Sequence, residues 1–258
     1  MPQTQFADER NDQIRTLGRD PSFLEASRKW LDRAQTLKYS YNFDWLGRPI
    51  IQYPQDIVVF QELVWRVQPD VIIETGIAHG GSLILSASLL AMLDLCDAAS
   101  AGTTLDPARP PRKILGIDID IRPHNRAAIE AHPLRNYLEM IEGSAVDDVV
   151  AEQVRKFADG KQRVLVSLDS NHTHDHVLRE LELYAPLVTA GSYCVVYDTL
   201  IEDLSPESIG DRSWGKGDNP KTAVWEYLKA HPEFEIDKAI DHKLGVSVAP
   251  DGFLRRKG

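Results

Sequence analysis

Four acids in this chain, Glu74, Asp118, Asp169 and Asp198, each stand where a run of apolar residues stops, and a Gly143-Ser144 pair closes another such run. If those runs are parallel strands, their ends open on one crevice, the place where an open α/β sheet binds ligands. Asp118, ending Gly116-Ile117-Asp118, is placed to accept two hydrogen bonds from ribose hydroxyls. The plainer reading is a strand-terminal acid that caps the next helix, and Asp120 shares its direction. Residues 69–82 carry the sharpest signal. Val71-Ile72-Ile73 suits a strand covered on both faces, and Gly76, Gly80 and Gly81 let the chain turn tightly and approach a ligand before an apolar helix begins at Ser82. Strand, glycine turn and helix together suit an adenosine-type cofactor. The spacing is G-x-x-x-G-G rather than G-x-G-x-x-G, so no pyrophosphate cradle is implied.

The elements that must position these residues alternate short β-branched runs with amphipathic stretches, the pattern of a doubly wound, mostly parallel α/β sheet. Strands are expected at 71–75, 113–118, 137–142, 163–169 and 192–198, and helices at 81–95, 123–131, 145–158 and 174–186. Residues 97–111, rich in Ala, Gly, Thr and Pro, read as a surface loop. Residues 1–68 form an N-terminal helical extension to a domain of residues 69–258, with helices at 22–37, capped by Ser22, and at 55–67, and an aromatic loop between Tyr39 and Trp45. Residues 199–219 have the composition of a lid. A helix from Pro220 to Lys229 follows, with Asn219 as its cap, and then two runs, 234–240 and 244–248, suited to an antiparallel C-terminal hairpin.

At 258 residues and 43% hydrophobic, the chain is sized for one sizeable core. A net charge of −10 with scattered basic residues argues against a nucleic-acid partner. Cys96 and Cys194 lie in apolar surroundings without ligand spacing, and read as buried thiols in a reducing, cytoplasmic compartment. Met1 to Arg15 lacks a signal-peptide core, and no apolar run approaches membrane-spanning length, so no membrane partner is expected. Phe23, Leu24, Trp30 and Leu31 exceed what one sheet needs and suggest a homo-oligomer.

Four stretches together, Ile72-Ile-Glu-Thr-Gly-Ile-Ala-His-Gly-Gly-Ser-Leu83, Gly116-Ile-Asp-Ile-Asp-Ile-Arg-Pro-His-Asn-Arg126, Ile141-Glu-Gly-Ser144 and Leu168-Asp-Ser-Asn-His172, resemble the cephalosporin hydroxylase and rhamnosyl O-methyltransferase family. The resemblance spans roughly residues 40–250. It implies a Rossmann-like class I fold and an S-adenosylmethionine-dependent O-methyltransferase acting on a hydroxyl of a sugar or other small natural product. By that resemblance Glu74, Gly76, Ala78, Gly80, Gly81 and Ser82 would surround the methionine part of S-adenosylmethionine. Asp118 would hold its ribose and Ser144 its adenine. Asp169 and Asp198 would lie near the transferred methyl, and in metal-dependent relatives of the fold such acids hold Mg²⁺, which would bind the acceptor oxygen. This chain departs from the pattern at Tyr197-Asp198, where Glu-Asp is usual. A neutral phenol is a poor Mg²⁺ ligand, so Glu202 or Asp203 becomes a candidate substitute.

His172, three residues beyond the catalytic candidate Asp169, is the preferred general base, because imidazole takes a hydroxyl proton near neutral pH. The bland alternative is a loop histidine at the start of a helix. His174 and His176 belong to that helix, and His172-x-His174-x-His176 is rejected as a zinc site because alternate residues share no helix face. His79 lies inside the glycine turn, shaping the backbone or facing substrate. Trp214, among glycines and polar residues, either closes over a ligand or anchors its loop. The rival functions are a non-catalytic cofactor-binding partner protein, a hydroxylase as the family name suggests, for which the facial His/His/carboxylate set is missing, and an NAD-dependent oxidoreductase, for which the dinucleotide motif is missing.

Overall fold

The structure, a computed structural model, describes residues 3–258, so the first two residues of the N-terminal extension lie outside the described residues. The extension holds α1 (Gln3–Leu17), α2 (Pro21–Thr36), a short hairpin of β1 (Phe43–Trp45) and β2 (Arg48–Ile50), and α3 (Pro54–Val67). The cap of α2 is Asp20 rather than Ser22: its side chain accepts from Phe23 N, with Pro21 supplying a preset first turn. The expected aromatic loop is partly ordered. Tyr39–Asn42 makes a 3-10 turn and Phe43 opens the hairpin, with Phe43 paired to Ile50.

Alternation then sets in with β3 (Val71–Thr75), α4 (Gly81–Ala101), β4 (Lys113–Asp118), α5 (Pro123–Glu130), β5 (Leu138–Glu142), α6 (Asp148–Ala158), β6 (Val164–Leu168), α7 (His174–Tyr184) and β7 (Tyr193–Val196). After a segment containing α8 (Pro206–Ile209) come α9 (Pro220–Ala230), β8 (Phe234–Ile236), α10 (Lys238–Leu244) and β9 (Phe253–Arg256). The seven-stranded sheet has the order β5-β4-β3-β6-β7-β9-β8, with β9 antiparallel to both its neighbours. Every residue of β3 and β6 is buried, as central parallel strands require. The chain winds from β3 outward through β4 and β5, then returns to place β6 on the other side of β3. That reversal puts the topological switch point between Gly76 and Asp169, the two residues that follow β3 and β6.

Alternate strand residues feed two cores. Ile73, Leu115 and Val166 pack beneath α6, α7 and α9, and Ile72, Ile114 and Leu165 pack beneath α3, α4 and α5. A third cluster joins Tyr193, Val195, Tyr197 and Phe253 to the extension through Tyr53, Val59 and Leu63. The extra apolar residues of α2 are used in the same way: Leu31 packs against this cluster, Phe23 lies beside Gly245, and Trp30 meets Tyr39 and Tyr53 edge-on at 5.1 and 5.6 Å.

Four further expectations need correction. The C-terminal hairpin pairs 234–236 with 253–256, not with 244–248, because Ile240 and Leu244 are four apart and fall on one helical face of α10. Residues 97–101, read as loop, continue α4 up to Gly102, whose positive φ ends the helix. Finally, α4 is long and apolar enough to cross a membrane by length and composition, with mean hydropathy 1.6 over its best window, yet it lies against the sheet as a core helix. Its outer side leaves Cys96 exposed, so of the two thiols expected to be buried only Cys194 is. Arg112 reaches inward to pair with the buried Asp94 of α4 and also with Asp97.

Gly81 is fixed by contact: a Cβ there would come within 2.2 Å of the Pro49 carbonyl oxygen, where the hairpin rests on the start of α4. Gly81→Ala should therefore cost roughly 1–3 kcal/mol by overpacking against backbone. The expected drop in melting temperature, about 2–4 °C per kcal/mol for a protein of this size, is readable by circular dichroism. An unchanged midpoint would mean that the hairpin is not pressed on the helix.

Candidate active site

The turn after β3 is built by close approach. Gly76 has φ +87°, and a Cβ on it would sit 2.0 Å from the carbonyl oxygen of Asp169, so the ends of β3 and β6 touch through a residue that only glycine can occupy. Ala78 also adopts a positive φ of 45°, uncommon for a residue with a side chain. The turn is braced from two sides. Asp118 Oδ2 accepts from Ile77 N at 2.8 Å and Ala78 N at 3.2 Å, while Oδ1 accepts from Asp120 N. From outside, Arg48 donates to the His79 carbonyl, and Asn125 accepts from Arg48 and donates to the Ala78 carbonyl. His79 thus has a backbone role, and Arg48 and Asn125 are braces that the sequence did not single out.

Glu74 is buried at 2% exposure and accepts from Ser82 Oγ at the first turn of α4. It ties strand to helix from behind the cavity wall, whereas Ser82 itself lines the cavity. Burial pushes the Glu74 carboxyl up to about 7, with the bond from Ser82 opposing the shift. Asp56, which the sequence reading passed over, is also pushed to about 7 by burial, although Ser247 Oγ and Val248 N both donate to it. It pins the segment after α10 beneath the site.

Three groups converge at the switch point. Asp169, His172 and Asp198 each offer a ligand atom, all within 4.8 Å of one another, and His172 Nε2 lies 3.3 Å from Asp198 Oδ2. Asp198 adopts φ +55°, a left-handed conformation that aspartate tolerates better than most residues and that ends β7 sharply. Asp169 is held well above the usual carboxylate range, first by desolvation and then by Asp198, Glu74 and Glu180. Tyr197 packs into the third core cluster, where burial first and then the charges of Asp56, Asp169 and Glu74 hold its phenol well above the usual range. It offers no ligand. Glu202 and Asp203 do not replace it: Glu202 accepts from Gly217 N and Asn219 Nδ2, and Asp203 pairs with Lys221. Two hard carboxylates and an imidazole remain, a donor set that fits a divalent cation.

These groups open on a cavity of about 360 Å³, inside the range of small-molecule sites, about 300–1,000 Å³. Gly76 to His79 with Gly81 and Ser82 form one wall, and the extension forms the opposite one through Gln35, Tyr41 and Gln52. Trp214 is the roof. It meets the His172 ring edge-on at 5.0 Å, Arg212 lies over its face, and its Nε1 is buried without a hydrogen-bond partner. The segment that carries it is moored on both sides, by Asp32 accepting from Ser205 N and by Asn219, whose side chain caps α9. A second hollow shares Gly76 and Ser170 with the first and is lined by Asp118, Ile119 and Ser144. The cofactor, catalytic and metal candidates therefore line two joined hollows, except Glu74, which stands behind, and Gly80, which faces the Ile129 side chain. His174 turns away to Thr222, whereas His176 pairs with Ser170 and lines the second hollow.

Because the folded Glu74 carboxyl titrates near 7 and an unfolded one near 4.5, its own contribution to folding stability is fully present in acid and is lost as pH rises from about 4.5 to 7. Glu74→Gln retains an acceptor for Ser82 and removes the titration. Urea unfolding across that window should show a shallower decline for the variant, by up to about 3 kcal/mol. Parallel curves would mean that Glu74 is ionised throughout.

With this geometry in view, a sequence model of the rhamnosyl O-methyltransferase/CmcI family matches residues 37–257. A rhamnosyl O-methyltransferase of Mycobacterium leprae (strain TN) is 29% identical over 215 residues, covering 83% of this chain and 82% of that protein. One of Mycobacterium tuberculosis (strain ATCC 25618 / H37Rv) is 28% identical, covering 78% and 73%. Among solved structures, CmcI with Mg and SAM superposes with a TM-score of 0.58 at 20% identity, covering 84% of this chain and 78% of that one, a likeness of fold. With a family match running from the extension to the last strand, the chain belongs to the rhamnosyl O-methyltransferase/CmcI family.

Proposed function

We propose that this S-adenosylmethionine-dependent O-methyltransferase methylates a hydroxyl of a sugar, with His172 as the base and Asp169 and Asp198 as the acids around the reacting oxygen. The observation that carries the reading is the convergence of Asp169, His172 and Asp198 in the cavity beside the Gly76 turn. The rhamnosyl O-methyltransferase relatives support a sugar as acceptor.

S-Adenosylmethionine would run along the joined hollows. Its adenine would lie near Ser144, its ribose near Asp118, and its methionine part along Gly76, Ala78, Gly80, Gly81 and Ser82, with Asp169 near the methyl. The acceptor would enter between Trp214 and the wall supplied by the extension, residues 1–68. In transfer, an oxygen lone pair attacks the methyl carbon, the carbon–sulfur bond breaks, and its electron pair stays on sulfur as a neutral thioether. Holding the two reactants in line supplies much of the acceleration. The hydroxyl proton goes to His172. With Nε2 beside Asp198, Nδ1 has the lone pair to take it, and Asp198 stabilises the resulting imidazolium. Asp169 and Asp198 would hold Mg²⁺, which lowers the pKa of a hydroxyl it touches. Trp214 excludes water from the imidazole. A cytoplasmic location and self-association belong to the same proposal, supported by the two free thiols and by the exposed Met92 and Leu95 on α4.

His172→Gln should lower kcat about 10²–10⁴-fold, with S-adenosylmethionine affinity by calorimetry changed less than about threefold and the histidine limb lost from the pH–rate profile. Full turnover in that variant would remove His172 as base. Asp118→Ala should weaken cofactor binding at least about tenfold, because it removes the turn brace along with the ribose acceptor. Undiminished affinity would place the adenosine elsewhere. Cofactor binding by the wild type without transfer to any glycoside would favour a non-catalytic binding protein.

A further inference from the structure

Tyr197 leaves the cation site one carboxylate short, and neither acid of the following turn fills the gap. Gln52 lies closer. It sits between β2 and α3, is 5% exposed, and lines the cavity with Asp169, His172 and Asp198. Its Nε2 donates to Asp169 Oδ2 across 3.4 Å, a long contact for a hydrogen bond, and its Oε1 is buried without any partner. A buried carbonyl-type oxygen that forgoes a partner carries a desolvation penalty, so its place in the wall calls for a reason.

We propose that Gln52 supplies a neutral side-chain oxygen to a divalent cation held by Asp169 and Asp198, taking over in space the ligand position that Tyr197 has vacated in sequence. The inference rests on the metal part of the function proposed above.

A carboxamide can exchange its ends by a half-turn of its last torsion, because nitrogen and oxygen occupy nearly the same volume. Without a cation, Nε2 faces Asp169 and the contact is attractive. With a cation, Oε1 takes that place. Two oxygens about 3.4 Å apart would repel when bare, yet neighbouring oxygens around one small divalent ion stand roughly 3 Å apart, given metal–oxygen distances of about 2.1 Å. Carboxamide oxygens are among the hard donors that Mg²⁺ and Mn²⁺ accept. The exchange of Glu for Gln as donor also leaves the site with one less negative charge. Affinity is then lower than at a three-carboxylate site, and the bare site, already crowded with acids, carries less self-repulsion.

The test is titration calorimetry of MgCl₂, repeated with MnCl₂, into the full chain saturated with S-adenosylhomocysteine, comparing wild type, Gln52→Leu and Gln52→Glu. The expected result is cation affinity at least about tenfold weaker in Gln52→Leu and about tenfold tighter in Gln52→Glu, with S-adenosylhomocysteine affinity within about threefold of wild type in both. Equal cation affinity in wild type and Gln52→Leu overturns the proposal, as does a wild type that binds neither ion. If Gln52→Leu does not fold, Gln52→Glu decides, and no gain there overturns it. None of these outcomes touches the methyl-transfer reading, which stands or falls on cofactor binding and the His172 variant.

Discussion

The charges that act most strongly on Asp169 are all acids, Asp198, Glu74 and Glu180, so a carboxylate is held where water is scarce and with like charge on several sides. Much of the surrounding structure serves to hold that arrangement. The Gly76 turn presses its missing side chain against the Asp169 carbonyl, the left-handed Asp198 ends β7 within reach of His172, and Asp56 and Glu74 sit behind the cavity as further buried acids. Concentrated negative charge at the mouth of the sheet suits a positively charged ligand, which on the proposed reading is the sulfonium of the cofactor and a divalent cation beside it.

The second constraint is the joining of the extension to the domain. The wall opposite the Gly76 turn comes from Gln35, Tyr41 and Gln52, and the Pro49 carbonyl rests against Gly81. Residues 199–219 cover the remaining side with Trp214, moored through Asp32 on α2 and through Asn219 at the head of α9. The cavity is therefore bounded by three stretches distant in sequence. On the proposed reading, variation in the extension and in residues 199–219 would reshape the acceptor side and leave the Gly76 turn alone.

Much of the site was legible because its signals are local. A strand end, an acid and a glycine turn lie within ten residues of each other at 71–81, and the remaining strand-end acids follow from where each apolar run stops. The C-terminal strand was misplaced because 234–240 and 244–248 read as strands by composition alone, while the true partner of β8, Phe253–Arg256, is chosen by contact with β7. The end of α4 was missed for a related reason. Its Ala-rich tail resembles a loop in composition but has no residue that breaks a helix before Gly102.

By itself the sequence determined the alternation of strands and helices, the positions of Glu74, Asp118, Asp169 and Asp198 at strand ends, and the turn at Gly76, because each depends on neighbours a few residues away. Only the tertiary structure decided that Glu74 stands behind Ser82, that Tyr197 turns into the core, that Trp214 roofs His172, and that Gln52 and Asp56 join the site. Those placements depend on which face of β7 is covered and on how α2 and α3 dock against it. Such packing between segments distant along the chain leaves no periodic trace in the sequence.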